Sequence, residues 1–517
     1  MIKQTLLTMA CALQLAQAAT AQYSWDNLPK VKTTSFKADT INILRYGAKA
    51  DGVFLNTQAI NKAISDCHAK GGGVVLVPAG LWLTGPVELK SNVNLHLAKA
   101  AMLVFTTDKS QYPIVEGFYE GRAAARNQSP IWATGQENIA ITGAGIIDGN
   151  GDAWRAVAKW QMTPAEWKAK LEAPGVYNQD SSEWYPSVQF REAKAQNKSM
   201  LLTPGKPLEA FGEMKDFLRP NLVVLNNCKR VLLEGVVFQN SPAWCLHLLL
   251  SEDLILRGVK TKNPEYAQNG DGMDIESCRN FIVEDCTLDV GDDAICIKSG
   301  KDEEGRRRGK PTENGIIRNN IIYKGHGGFV IGSEMSGGAR NIFVENCIFN
   351  GTDKGLRFKS TRGRGGVVEN IFVRNVSMKD IRQEAVFFDM YYFVKFATDG
   401  KREVAPGFNE GTPVFRNMRF SNLTCEGANT AIFIRGLPEM AVTNIAIENS
   451  TFTAKKGVVL KDAAAIRLEG LQFNLANEKA VITAEDVKGL HAGKISFTAA
   501  PGAKLLDAKN SSQVATD

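Results

Sequence analysis

Asn280-Phe-Ile-Val-Glu-Asp285 and Asn341-Ile-Phe-Val-Glu-Asn346 are almost the same phrase, and its recurrence decides the fold. The pattern is Asn, apolar, any, apolar, charged, then Asn, Asp or Gly. It returns as Asn138-Ile-Ala-Ile-Thr-Gly143, Arg230-Val-Leu-Leu-Glu-Gly235, Asp253-Leu-Ile-Leu-Arg-Gly258, Asn370-Ile-Phe-Val-Arg-Asn375 and Asn444-Ile-Ala-Ile-Glu-Asn449. The commonest spacing is about 23 to 29 residues, which marks a repeat architecture. Each unit has room for two or three strands of about four residues, broken by Asn, Gly and Asp. Such a unit cannot close a core alone. Stacked, each strand pairs with its equivalent in the next coil and the inward apolar side chains form ladders. Asn suits the breaks because its amide can hydrogen-bond along the stack and its backbone tolerates left-handed turns. The spacing therefore predicts an all-β chain wound as a parallel β-helix. Helical and leucine-rich repeats do not fit, because β-branched pairs dominate and no amphipathic helix recurs.

The ends and two insertions depart from this rhythm. Residues 56–68 place Ile60, Ala63, Ile64 and Cys67 at helical spacing, the pattern of a helix capping the open N-terminal end of the coil. Residues 152–218 carry Trp154, Trp160, Trp167 and Trp184 and a predicted helix near 163–171. Residues 390–412 carry Tyr391 and Tyr392. Insertions in a repeat protein usually gather on one face and shape a site. The first residues read as an export signal: Lys3, a short apolar run over 6–15 interrupted by Gln14, and the small-x-small site Ala19-Thr-Ala21. We expect cleavage near Gln22, a secreted or periplasmic protein, and one β-helix domain over 22–517. A lipoprotein anchor at Cys11 is a weaker alternative, since Thr8-Met-Ala-Cys11 is a poor lipobox. No later segment has the length and apolarity of a membrane span.

Of the 517 residues 44% are hydrophobic, enough for an extensive core. The net charge of +6 is mild; it fits an acidic ligand and does not single out nucleic acid. None of the nine cysteines falls in a CxxC pair, and with five histidines no metal-ligand spacing is present. Cys286 and Cys347 hold the same place in two repeats, so they are expected as buried, stacked thiols.

Four polar motifs interrupt the apolar strands: Asn269-Gly-Asp271, Gly291-Asp292-Asp293, Gly325-His326-Gly327 and Arg357-Phe-Lys359. Asp271 and Asp292 are 21 positions apart, nearly one coil. Stacking should set them on adjacent rungs about 5 Å apart. Three crowded carboxylates cannot all stay ionised, so one should hold a proton near neutral pH while the others activate water. His326, freed from neighbouring side chains by its glycines, could hydrogen-bond the acid. In an extended Leu356-Arg-Phe-Lys-Ser360, Arg357 and Lys359 share one face and Phe358 enters the core. Two such cations suit a substrate carboxylate.

In order and approximate spacing these motifs resemble the signatures of the polygalacturonase family, glycoside hydrolase family 28. Tyr46-Gly-Ala-Lys-Ala-Asp-Gly52 and Gly71-Gly-Gly-Val-Val-Leu-Val-Pro-Ala-Gly80 resemble the opening of pectin-active β-helices. The likeness spans about residues 40–475. It implies a right-handed β-helix and inverting hydrolysis of α-1,4-galacturonosidic bonds in pectin, without metal or organic cofactor. By motif position Asp292 is the general acid, Asp271 and Asp293 position and deprotonate water, and His326 assists Asp292. Arg357 and Lys359 would hold the substrate carboxylate, and Asn269 would orient the site. Tyr392, with Tyr391 as rival, resembles a substrate-contacting tyrosine. Inversion leaves room for a water, so acid and base should stand further apart than in a retaining enzyme.

Two departures favour exo over endo action. Gly270 stands where endo-acting members usually have Thr. The basic stretch Gly300-Lys-Asp-Glu-Glu-Gly-Arg-Arg-Arg-Gly-Lys310, with Gly332-Ser-Glu-Met-Ser-Gly-Gly338, resembles exo-acting members and could grip a chain end. A rhamnogalacturonan or branched-pectin galacturonidase, a uronate lyase and a non-catalytic carbohydrate-binding β-helix are the competing readings. A uronate lyase commonly needs calcium-binding carboxylates and a basic residue to abstract a proton, and its unsaturated products would absorb in the ultraviolet. A binding module has no need of three acids, a histidine and two cations together.

Overall fold

The computed structural model describes residues 23–394, 405–476 and 478–517. The segment read as an export signal lies outside the described residues, as does 395–404 of the second insertion. The repeated phrase forms one of three parallel ladders of a parallel β-helix. Its rungs include Lys229–Glu234, Glu252–Arg257, Arg279–Glu284 and Thr312–Arg318. In register, Val231, Leu254 and Phe281 align, as do Leu233, Leu256, Val283 and Ile317. Equivalent apolar positions of successive repeats are thus stacked inside one core. Cys286 and Cys347 are buried free thiols, as are the other six described cysteines.

The asparagines do both things expected of them. Asn280, Asn314, Asn341 and Asn370 have φ of 56°, 61°, 57° and 56°, the left-handed region where Asn is tolerated. Their amides bond along the stack: Asn314 donates to Asn280 (3.2 Å), Asn341 to Asn314 (3.1 Å) and Asn370 to Asn341 (3.3 Å). The N-terminal cap is the helix Thr57–Ala69, which buries Ile60, Ala63, Ile64 and Cys67 on the first coil.

The first insertion supplies the helix Pro164–Glu172, N-capped by Thr163, and a second helix, Val188–Ala195. An antiparallel hairpin, Ile114–Tyr119 with Arg122–Asn127, also leaves the coil; the repeat gave no hint of it. Its Ala124 and Ala125 share a small core with Ala193, Met200, Phe211 and Met214 of the insertion. The basic stretch after Gly300 folds as the helix Asp302–Arg308 and clamps the hairpin tip. Lys301 Nζ meets Glu120 Oε2 at 2.7 Å, Ala123 N–H donates to Glu304 Oε1 at 2.9 Å, and Arg308 donates to the Gly121 carbonyl at 3.0 Å. A Cβ on Gly121 would stand 2.8 Å from Gly300 Cα, so the two glycines permit the contact. Among the described residues no helix is long and apolar enough to cross a membrane.

Candidate active site

The site lies on one ladder, across Met273–Glu276, Asp293–Lys298, Gly327–Ile331 and Leu356–Lys359. The turns before the first two strands deliver the acids. Gly272 N–H donates to the Asp293 carbonyl (3.0 Å), fixing Asp271 one rung from Asp293. The backbone of His326 donates to the Asp292 carbonyl (2.9 Å). A Cβ on Gly325 would come within 2.7 Å of that carbonyl, which is why glycine precedes the histidine. In Leu356–Lys359, Phe358 is fully buried and stacks on Phe388 with ring centres 4.2 Å apart. Arg357 and Lys359 point outward, as alternation predicts.

The structure brings the sequence-predicted residues together. Asp271, Asp292 and Asp293 each place an oxygen within 4.8 Å of the others. This is closer than the wide acid–base gap expected from inversion, because adjacent parallel rungs set the spacing. Asp292 Oδ1 accepts from His326 Nδ1 (3.0 Å) and from the Asp293 N–H (3.0 Å). Asp292 keeps a quarter of its side chain exposed to the groove, whereas Asp271 and Asp293 are buried. His326 is half exposed, and its bond to Asp292 raises its pKa. Tyr392 stands beside the cations, its ring 4.9 Å from Lys359 Nζ and 5.7 Å from Arg357 Cζ. Tyr391 is buried against Arg362 and Arg435 instead. Asn269 Oδ1 accepts from Arg219 (2.7 Å).

Arg357 and Lys359 are both engaged within the protein. Arg357 Nη1 binds Asp293 Oδ1 at 2.9 Å, and Lys359 Nζ binds Asp293 Oδ2 at 2.7 Å. Burial alone would raise Asp293; the two cations outweigh it and hold this carboxylate far below its ordinary range. Arg306 and Arg308 of Asp302–Arg308 are likewise engaged within the protein. Arg308 is tied to Glu276 Oε1 (2.6 Å), and Arg306 to the Gly363 carbonyl and Glu410.

A charged layer beneath the acids was not foreseen. Lys298 Nζ lies 3.1 Å from Glu334, 3.5 Å from Asp274 and 3.9 Å from Asp271, and over the Trp244 ring at 4.5 Å. Burial pushes Asp271 well above the ordinary carboxyl range and Asp274 up to about 8. Glu334, whose burial is outweighed by Lys298, is held down to about 2. Burial therefore favours the protonated form of Asp271 and of Asp274. Alternation in Met273–Glu276 and Asp293–Lys298 could have revealed Asp274 and Lys298 as outward-facing residues. The trio's spacing could gather a cation, but both Asp293 oxygens are already bound to Arg357 and Lys359, which favours proton chemistry.

Comparison with known proteins agrees with this geometry. Residues 212–454 match the model of glycosyl hydrolases family 28, and residues 40–164 match one described as rhamnogalacturonase A/epimerase, pectate lyase-like. A hyperthermoactive exopolygalacturonase from Thermotoga maritima is 32% identical, with a TM-score of 0.67 over 87% of this chain and 93% of that one. A family 28 exopolygalacturonase from Yersinia enterocolitica is 26% identical, with a TM-score of 0.69 over 92% and 78%. An exo-poly-alpha-D-galacturonosidase of Dickeya chrysanthemi is 31% identical over 78% of this chain and 65% of its own. With its β-helix, its three convergent carboxylates and these likenesses, the chain belongs to glycosyl hydrolase family 28. It is a glycoside hydrolase.

Proposed function

We propose that the protein is exported and hydrolyses α-1,4-galacturonosidic bonds of polygalacturonate or pectin, from a chain end and with inversion. The observation that carries end-directed cleavage is the hairpin Ile114–Tyr119/Arg122–Asn127, locked by Asp302–Arg308 across the groove upstream of the acids. A chain cannot run through a groove closed on that side, so its terminus must enter. The names of the Thermotoga, Yersinia and Dickeya relatives support the same substrate and mode.

Asp292 is the carboxyl exposed to the groove, placed to protonate the leaving oxygen, with His326 fixing it through Oδ1. Asp293 is a poor nucleophile because both oxygens are held by cations. It can still accept a hydrogen bond from water. Asp271 Oδ1 is buried without a protein partner; ionised, it is the second acceptor for that water and takes its proton as the water attacks. This division favours attack by water, hence inversion, despite the short spacing of the acids. The Asp293–Arg357–Lys359 cluster retains positive charge that favours a uronate nearby.

The raised pKa of Asp271 favours a second assignment, in which Asp271 donates the proton and Asp292 activates water. An activated aryl galacturonide decides between them, because its leaving group needs no protonation. The acid variant keeps activity on it while the base variant does not. Asp292→Asn is expected to be the rescued variant; rescue of Asp271→Asn would reverse the roles. Product sizing from polygalacturonate tests the mode, with short products of one size expected from the first minutes. A ladder of oligomers would refute end-directed cleavage, and an ultraviolet-absorbing unsaturated product would establish a lyase. NMR of the first-formed anomer tests inversion.

A further inference from the structure

The floor of the groove continues upstream of the acids, behind the hairpin. There Trp132, Val224 and His247 lie on successive rungs leading to Asp274. With strands about 4.8 Å apart, these rungs cover roughly the next 5 to 14 Å. Over them is a cavity of about 210 Å³ with mixed polar and apolar walls, which include Arg126, Gln128, Trp132, Asn221 and His247. That is smaller than the ~300–1,000 Å³ of pockets for drug-sized ligands, and suits one sugar ring better than a running chain.

Arg126, from the hairpin, is only 7% exposed, yet it binds no carboxylate among the described residues. Its guanidinium donates to the Arg219 carbonyl, to Met200 Sδ (3.5 Å) and to Asn221 Oδ1 (3.5 Å). Arg219, also 7% exposed, is likewise without an ion pair; it donates to the carbonyls of Pro242 (3.0 Å) and Gln268 (2.8 Å) and to Asn269. The nearby Glu120 is bound to Lys301, and Glu116 is the acidic residue on the cavity wall. Two neighbouring buried cations without an anion are a receptor in search of a counter-charge. Burial and, for Arg126, repulsion from Arg219 pull both guanidinium pKa values down to about 10, a deficit that a bound carboxylate would relieve.

We propose that Arg126, backed by Arg219, receives the carboxylate of the chain-terminal uronate in this cavity. The proposal rests on the galacturonan reading above and deepens it: the blocked end also recognises charge. Arg219 is a positioning residue, linking this cavity to Asn269 of the catalytic wall.

The test uses the full-length protein and three trimers: trigalacturonate, and trigalacturonate methyl-esterified solely at one end or solely at the other. The wild type is expected to lose about ten- to a hundredfold in kcat/KM on one singly esterified trimer, the loss of one charge-assisted hydrogen-bonded contact. Arg126→Gln should lower kcat/KM on trigalacturonate by a similar factor and abolish that discrimination. Arg126→Lys, which keeps the charge, should retain part of it and serves if the Gln variant does not fold. Equal rates of the wild type on all three trimers overturn the inference and leave the galacturonan reading standing. So does undiminished discrimination by either folded variant. No hydrolysis of any trimer overturns that reading, and the inference with it.

Discussion

Glu334→Gln isolates the charged layer beneath the acids. Glu334 is buried, and its carboxylate lies 3.1 Å from Lys298 Nζ. Its pKa falls from an ordinary 4.5 to about 2 in the folded protein. At about 1.4 kcal/mol per pH unit, that displacement is worth roughly 3 kcal/mol of stability at pH 7. A folded pKa below the unfolded one means stability present above pH 4.5 and lost as pH falls through about 2. The Gln variant should therefore be less stable by on the order of 3 kcal/mol at pH 7, and the gap should narrow to about 1 kcal/mol at pH 3. Urea midpoints followed by tryptophan fluorescence, with reversibility checked at each pH, measure both values. The same change leaves Lys298 to Asp274 and Asp271, so the pH profile of kcat/KM should shift toward acid. A stability gap that is absent, or equal at pH 7 and pH 3, would refute the reasoning.

Asp292→Asn removes the partner that raises the pKa of His326. The imidazole, followed by NMR among five histidines, should then titrate at lower pH than in the wild type; an unchanged midpoint would break the proposed link. Phe358→Ala empties the centre of a stack that includes Phe388 at 4.2 Å and Phe420 at 5.8 Å. The expected cost is about 3–5 kcal/mol in denaturant unfolding, with Phe358→Leu milder. Asn341→Ala removes an amide rung and places alanine at φ 57°, costing roughly 1–2 kcal/mol for the backbone alone. Asn341→Gly should be less damaging, and equal losses for the two would exclude a left-handed requirement.

Much of the site was already legible in single motifs. Arg357-Phe-Lys359 announced its two outward cations and its core phenylalanine by alternation, and the near-one-coil interval between Asp271 and Asp292 announced their approach. What the motifs could not give was the choice of partner. Arg357 and Lys359 bind Asp293, from 64 and 66 residues earlier. Burial, which no motif records, favours the protonated form of Asp271 and Asp274, whereas at the equally buried Asp293 two close cations offset it. The stretch Arg306-Arg-Arg308 read as a grip on a chain end, yet in the fold Arg306 and Arg308 grip the protein.

The sequence by itself determined the coil. Its phrase repeats with enough regularity to dictate stacking, left-handed asparagine turns and an inward apolar row, because these depend on residues close in sequence or one repeat away. Only the tertiary structure decided where the groove ends. The hairpin Ile114–Tyr119/Arg122–Asn127 meets Asp302–Arg308 across about 180 residues, through one bond to a backbone N–H, one to a carbonyl and one ion pair. Contacts of that range carry no periodicity. They arise once the stacked coils have brought distant insertions to the same wall, and there they set the charge and the closure of the site.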